Sequence, residues 1–415
     1  MEYRELSKLY HMDNSSNRES HSLEELERRR GAASTFHIGI ETKTGPLFVA
    51  MPAELSVLME RILRAERRMS SLMRSFPSIV RGRIVRGLVL DEVMSTNAVE
   101  QIHSTRKQVE EALESGEKGD LSFKRFKELA LLYLGLDGDE ITMPETPDDI
   151  RSIYDAVTEG EIPANELPDG KVFRAEGSNV VAGGVRVVHS GVESEQRIVE
   201  NMEAMLALLK RDDIPEIISA VASHYIFEYT HPFYDGNGRT GRYLLALFLS
   251  DVLSVPTVLS LSGAIAENKT IYYEAFASAE KPLNRGELTF FVLRMMELIR
   301  IAQSETMDRL EECSRAYDAI TKGCGALFEE EEFLLHEKEI LYVLAQYSVF
   351  GASGAMSIED VAGHIGLGKQ STRKYLAGLE QKELVRKCSS RPAKFELTSV
   401  AKKKIGVEED NAEKE

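Results

Sequence analysis

The 415-residue sequence predicts a mainly α-helical protein with one small β-hairpin in its core and a separate basic module towards its C-terminus. Three observations carry this expectation. Apolar residues recur at helical spacing in most segments between residues 51 and 326. One stretch, residues 171–191, instead places β-branched residues on both sides of Ala182-Gly183-Gly184, the pattern of a hairpin with a glycine turn. The charge also changes sign along the chain.

The whole sequence holds 51 Lys and Arg against 68 Asp and Glu, a net of −17, with 43% hydrophobic residues. Length and composition suit a globular protein of two or three domains. Residues 335–404 carry twelve basic and seven acidic side chains, a net of +5, so −22 lies elsewhere. An acidic surface repels nucleic acid and anionic membranes, which leaves only the basic stretch as a nucleic-acid candidate. Three cysteines, Cys313, Cys324 and Cys388, are an odd number without CxxC spacing, which argues against a disulfide framework or a structural zinc site and fits a reducing cytoplasm. The polar start MEYRELSKLYHMDNSSNRES has no apolar signal region. The most apolar stretch, Tyr243 to Ala266, is interrupted by Asp251 and Pro256, which leaves uncharged runs too short to cross a bilayer. No membrane partner is expected.

In chain order, residues 1–50 read as an N-terminal arm, polar and loosely docked over about the first 35, then apolar in alternation through FHIGIETKTGPLFVA. Pro52 opens a helical region, 51–137, in which RGRIVRGLVLDEVMSTNAVEQIHSTRKQVEEALES reads as one helical stretch and DLSFKRFKELALLYLGLDG as the next. The segment DGDEITMPETPDD is a connection, and Asp148 or Asp149 is expected to cap IRSIYDAVTEG. A core follows over 138–300, with the hairpin and helices at 195–210, 214–229, 240–253 and 270–279. A long helix from Gly286 towards Ala326 leads into a connecting helix (301–334), the basic module (335–404) and an acidic tail (405–415).

The chemistry-bearing segment is His231-Pro-Phe-Tyr-Asp-Gly-Asn-Gly-Arg-Thr-Gly-Arg242. The apolar helix before it must end ahead of Pro232, and a loop with glycines at 236, 238 and 241 runs straight into YLLALFLSDVL. Such a loop lets backbone N–H groups converge on an anion at a helix start. Arg239 and Arg242, three residues apart, can face one ligand. His231 supplies a proton acceptor at neutral pH and Asp235 a hard oxygen ligand for a divalent cation.

This segment resembles the Fic family signature HxFx[D/E]GNGRxxR, matching all eight fixed positions. The surroundings are similar too: Phe173-Arg174 and the hairpin upstream, NKTIYYEAF and GELTFF downstream, a likeness over about residues 50–300. The resemblance implies a protein adenylyltransferase that moves AMP from ATP to a Ser, Thr or Tyr hydroxyl of a target protein. It implies that His231 is the base and that Asp235 holds Mg²⁺. Gly236, Asn237, Gly238, Thr240 and Gly241 would form the cradle for the phosphates, Asn237 and Gly238 at the α-phosphate. Arg239 and Arg242 would bind the β- and γ-phosphates. Phe233 is expected to anchor the loop in the core. Tyr272 and Tyr273 resemble the pair lining the adenine pocket, with core packing the alternative. The hairpin at 180–188 resembles the flap that aligns the target, though His189-Ser-Gly replaces the proline-containing continuation common in the family. Gly238 stands where the phosphorylating Doc toxins carry lysine, which favours AMP transfer; transfer of another nucleotide monophosphate stays open.

Thr96-Asn-Ala-Val-Glu100, on a helix expected at about 91–105, resembles the inhibitory motif [S/T]xxxE[G/N] of the same family. Thr96 and Glu100 share a helix face at i, i+4. The resemblance implies that Glu100 pairs with Arg242 and keeps the γ-phosphate from its place, with Gln101 standing where Gly or Asn is usual. Removal of the AMP by the same site is a further activity known among relatives.

From His336 the pattern of helix, Ser357-capped helix, turn, helix and a two-strand ribbon resembles a winged helix-turn-helix with Gln370–Leu379 as probe helix. Eleven basic against three acidic residues between 366 and 404 suit DNA; a protein-binding or homodimer-forming wing is the alternative. A second function class therefore stands beside the enzyme: a DNA-binding regulator with the Fic core as nucleotide sensor.

Overall fold

The computed structural model describes residues 3–407 apart from 115–125, 139–140, 164, 183–185 and 352–353. The hairpin's Gly183-Gly184 turn, residues 120–125 of the expected third helix and residues 408–415 of the acidic tail lie outside the described residues. The protein is mainly helical, with small antiparallel sheets. Two compact units divide the chain: Met1–Met69 with Gly87–Thr306, and Ser70–Arg86 with Met307–Glu415. Among the described residues no helix is long and apolar enough to cross a membrane.

In the first unit, the N-terminal segment is packed rather than loosely docked. Helices Leu6–Met12 and Arg18–Arg30 precede an antiparallel pair, Thr35–Thr42 with Gly45–Ala50, in which Phe36 faces Val49. Leu6, Leu26 and Phe48 form one buried cluster. Arg29 and Glu287 are both buried and pair at 2.7 Å. Phe48 N–H donates to the Gly286 carbonyl (3.1 Å) and its own carbonyl accepts from Leu288 N–H (2.9 Å). These contacts join residues more than 200 positions apart, so local periodicity carried no trace of them, and a helix as charged as HSLEELERRR reads as solvated.

The expected single helical stretch after Pro77 is broken. Helix Ser78–Val99 ends where Gln101 takes a left-handed conformation (φ 61°), and Ile102 N–H closes on the Asn97 carbonyl at 2.9 Å. A new helix, Arg106–Glu114, follows. The cap of helix Pro147–Val157 is Thr146 rather than Asp148 or Asp149. Its hydroxyl accepts from Asp149 N–H while the Asp149 carboxylate accepts from Thr146 N–H, a reciprocal capping box with Pro147 in the first turn.

Helices Glu195–Leu209, Glu216–Thr230 and Asn237–Leu249 pack in sequence to form the centre of this unit. Helix Glu216–Thr230 is buried on every side along nearly its whole length, including His224 and Tyr225. The helix expected at Thr240 begins three residues earlier, at Asn237, so both arginines of the loop are helical. Strand Asn179–Ala182 pairs antiparallel with Arg186–Ser190, with a bulge between Val180 and Val181.

In the second unit, helices Leu335–Phe350, Ile358–Ile365 and Lys369–Gln381 pack together around Ile340, Leu344, Val361, Leu376 and Leu379. Ser357 caps the second of them, its hydroxyl accepting from Asp360 N–H at 3.1 Å. Gly366 makes the left-handed turn between the last two. The ribbon Val385–Ser390 and Ala393–Leu397 gains a third strand, Met356–Ser357, in the order 356–357, 393–397, 385–390.

Candidate functional site

The candidate site is built where helix Glu216–Thr230 stops and helix Asn237–Leu249 starts. His231 caps the first helix in a left-handed conformation (φ 52°), and Gly236 precedes the second in the same region (φ 78°). A Cβ on Gly236 would sit 2.6 Å from Thr158 Cγ2 as well as requiring that unfavourable φ, so glycine is needed there. No side chain caps the second helix, whose first N–H groups are therefore not satisfied in the usual way.

The loop between the helices is fixed from inside. Phe233 is fully buried and stacks on Tyr154 with ring centroids 3.6 Å apart, the anchoring expected of it. Asn237 clamps the same residue: its Oδ1 accepts from Phe233 N–H (2.9 Å) and its Nδ2 donates to the Phe233 carbonyl (2.8 Å). Both ends of the amide are thus committed to the loop, and the Asn237 side chain holds the backbone in shape rather than pointing at a ligand. Arg174 is buried beneath it and donates to the carbonyls of His231 (2.7 Å), Val192 (2.7 Å) and Thr230 (3.2 Å). Thr240 spends its hydroxyl on the Gly236 carbonyl at 2.9 Å.

The two arginines are both 2% exposed, and each meets a glutamate. Arg242 Nη1 lies 2.8 Å from Glu100 Oε1, its Nε donates to Thr96 Oγ1 (2.8 Å) and its Nη2 to the Thr96 carbonyl (2.9 Å). Burial works against its charge, but Glu100, Tyr272 and Glu228 hold the guanidinium charged beyond the usual arginine range. Arg239 Nη1 pairs with Glu161 Oε2 at 2.8 Å, the carboxylate being 4% exposed. Arg239 Nε has no hydrogen-bond partner among the described residues.

Two further carboxylates face this region. Glu92, one turn before Thr96, is 1% exposed and accepts from Ser262 N–H at 3.0 Å; burial pushes it up to about 7. Glu228, three residues before His231, is also pushed up to about 7 by burial, and its Oε1 is without a hydrogen-bond partner among the described residues. Glu161, Glu228 and Glu92 were not singled out from the sequence. Only Glu92 left a signal, since it continues the four-residue spacing of Thr96 and Glu100.

The His231 imidazole is held neutral. Burial, then the neighbouring His189 and Arg174 charges, push it down to about 3, against a hydrogen bond to the Glu228 carbonyl. Asp235 is exposed at the rim, its Oδ1 accepting from Gly236 N–H at 2.6 Å. Among the described residues no group of three or more His, Cys, Asp or Glu is arranged to hold a metal ion. A single exposed carboxylate fits a cation only if the remaining ligands are water and substrate phosphates, the manner in which Mg²⁺ is usually held. Tyr272 is 3% exposed, with its hydroxyl 2.9 Å from His224 Nε2 and its ring against Phe276; Tyr273 is 50% exposed and offers the open aromatic face.

Residues 144–249 match the model of the Fic/DOC family. A Fic family protein from Desulfovibrio desulfuricans G20 is similar at 18% identity over 84% of this chain and 97% of that one, with a TM-score of 0.51. Fic-1 from C. elegans aligns at 19% identity over 61% of this chain and 73% of that one, TM-score 0.43. A Fic domain containing signaling protein from Bacteroides thetaiotaomicron VPI-5482 aligns at 16% identity over 60% and 97% of the two chains, TM-score 0.45. The matched segment takes in Glu161, the buried Arg174 and the His231–Arg242 loop, so this part of a longer, mainly helical chain is similar to the Fic/DOC family domain.

Proposed function

We propose that the protein is an adenylyltransferase, moving AMP from ATP to a Ser, Thr or Tyr hydroxyl of a target protein, and that Glu100 restrains it by occupying Arg242. Fic/DOC proteins generally transfer nucleotide monophosphates to proteins. The observation that carries the reading is the uncapped start of helix Asn237–Leu249, with two buried arginines on its first turns and a carboxylate already seated at that end. An anion is what this end of a helix selects, and Glu100 supplies one in the absence of phosphate.

In the proposed reaction the target oxygen bonds to the α-phosphorus, the bond from that phosphorus to pyrophosphate breaks, and the hydroxyl proton passes to the neutral His231 ring. A ring held low by burial and by two neighbouring cations is a weak base, and the charge of the triphosphate would offset those cations and strengthen it. Asp235 would hold Mg²⁺, which neutralises charge on the phosphates. Arg239 and Arg242 would seat the outer phosphates after Glu161 and Glu100 yield them, and the half-exposed Tyr273 would offer a face to the base. Incubation with α-labelled ATP and Mg²⁺ tests this directly. Glu100→Gly should be labelled, or label a partner in cell extract, far more than wild type, and His231→Ala in that background should abolish it. Equal labelling of wild type and Glu100→Gly removes the restraint; labelling that survives His231→Ala removes the mechanism.

For the second unit we propose a winged helix-turn-helix, supported by the order of its elements and by Arg373 and Lys374 standing exposed on helix Lys369–Gln381. Lys369, Lys382, Arg386 and Lys404 are each paired with a glutamate, so its face is less cationic than its composition. Retardation of duplex DNA with a steep salt dependence, lost in Arg373→Ala/Lys374→Ala, is the result DNA contact requires.

A further inference from the structure

The flap strand Arg186–Ser190 carries, one residue before its end, a histidine near His231 whose hydrogen bonds dictate its charge. His189 Nε2 lies 2.9 Å from the Tyr229 carbonyl oxygen. Its Nδ1 lies 3.0 Å and 2.9 Å from the two oxygens of the Glu280 carboxylate. A carbonyl and a carboxylate only accept, and a neutral imidazole has a single N–H. Both contacts are satisfied together when both ring nitrogens are protonated. The side chain is 14% exposed, so water is a poor substitute for either partner. His231 is the next ring, with centroids 6.3 Å apart at an interplanar angle of 60°.

We propose that His189 is a positioning residue of the transfer site: as an imidazolium clamped between the Tyr229 carbonyl and Glu280, it ties the base of the flap to the end of helix Glu216–Thr230, just ahead of the catalytic loop, and helps to keep His231 unprotonated. The charge balance around it supports this. His189 faces Glu280 beyond helix Lys269–Ala279, the Tyr229 ring and carbonyl and Glu228 on helix Glu216–Thr230, and His231 on the loop. Burial alone would lower its affinity for the proton, but Glu280, by hydrogen bond and charge, then the Tyr229 carbonyl and Glu228, raise it above the ordinary histidine value. His231, whose proton affinity burial lowers most, also meets two cations, His189 and Arg174, and one carbonyl. The consequence is directional. A proton accepted by His231 arrives next to a fixed positive charge, so the ring stays an empty acceptor until an anionic nucleotide is seated.

This rests on His231 acting as the proton acceptor, and the test separates the two ideas. Full-length protein with ring-labelled histidine is titrated by NMR, with resonances assigned by single substitution, and the Glu100→Gly form is assayed for transfer across pH. In wild type His189 should titrate above the ordinary histidine value, and Glu280→Gln should lower its midpoint. His189→Gln should raise the His231 midpoint by about one pH unit, a tenfold change in proton affinity, and move the acid limb of the transfer rate up equally. His189→Arg, which retains the charge, should leave the His231 midpoint low and controls for disruption of the flap. A His189 that titrates at or below the ordinary histidine value, or a His231 midpoint unmoved in His189→Gln, overturns the proposal. Absence of transfer at every pH removes the enzymatic reading, while the two NMR midpoints still decide this one.

Discussion

Glu100 sits in space that only a glycine at position 238 leaves open: a Cβ there would overlap Glu100 Oε1 and come within 3.1 Å of Arg242 Nη1. The carboxylate meanwhile holds Arg242 Nη1 at 2.8 Å. Helix Ser78–Val99 and the start of helix Asn237–Leu249 are thus fitted to one another through the smallest possible side chain. The residue that distinguishes AMP transfer from phosphorylation in the family resemblance is also the one that admits the Glu100–Arg242 pair.

Gly238→Ala should therefore destabilise the protein in wild type and become neutral or stabilising when Glu100 is already alanine, because alanine is the better helix former by about 1 kcal/mol once the overlap is gone. A double-mutant cycle of denaturation midpoints should show a coupling on the order of 1 kcal/mol or more. Additive effects would mean that the carboxylate moves aside freely and that position 238 does not govern its docking.

Gln101 occupies a left-handed position (φ 61°) immediately after Glu100, which explains physically why glycine or asparagine is usual there. Glutamine bears a cost of about 1 kcal/mol in that conformation that glycine avoids. Gln101→Gly should raise stability by about that amount and give transfer no higher than that of wild type, since the end of helix Ser78–Val99 is better formed. A fall in stability, or a rise in labelling comparable to Glu100→Gly, would show that the left-handed turn is not maintained in solution.

What the sequence made legible was contiguous or periodic. The His231–Arg242 loop could be read because its residues follow one another, and Phe233 is buried where an anchor was expected. Thr96 and Glu100 could be put on one helix face because one turn separates them, while their pairing with Arg242 came from the family resemblance alone. The hidden part was what long-range packing decides. Glu161 and Glu228 look like ordinary surface glutamates until the fold brings them against buried arginine and glycine. Arg29 is one of a run of charged residues until Glu287, from the far end of the unit, closes on it. Asn237 was assigned to the phosphates, whereas its amide closes a local ring with Phe233; a motif names a residue without saying which neighbour uses it.

Glu161 and Arg239 offer the sharpest separation of a phosphate ligand from a structural pair. Both side chains are nearly inaccessible, at 4% and 2% exposure, and removing the charge of Glu161 takes this counter-charge from Arg239 in a poorly solvated place. Such a break costs about 3 kcal/mol, less where the replacement keeps an acceptor, as Glu161→Gln does. The variant should melt at lower temperature than wild type without nucleotide. If Arg239 seats a phosphate, ATP with Mg²⁺ replaces the lost counter-charge, so the nucleotide-induced rise in melting temperature should be larger in Glu161→Gln than in wild type at equal ligand concentration. Arg239→Lys in the same background should lose that extra rise, because an ammonium lacks the guanidinium's second arm and its Nε–H donor. An equal rise in wild type and Glu161→Gln would assign Arg239 to the architecture of the loop and leave Arg242 as the arginine that reads the nucleotide.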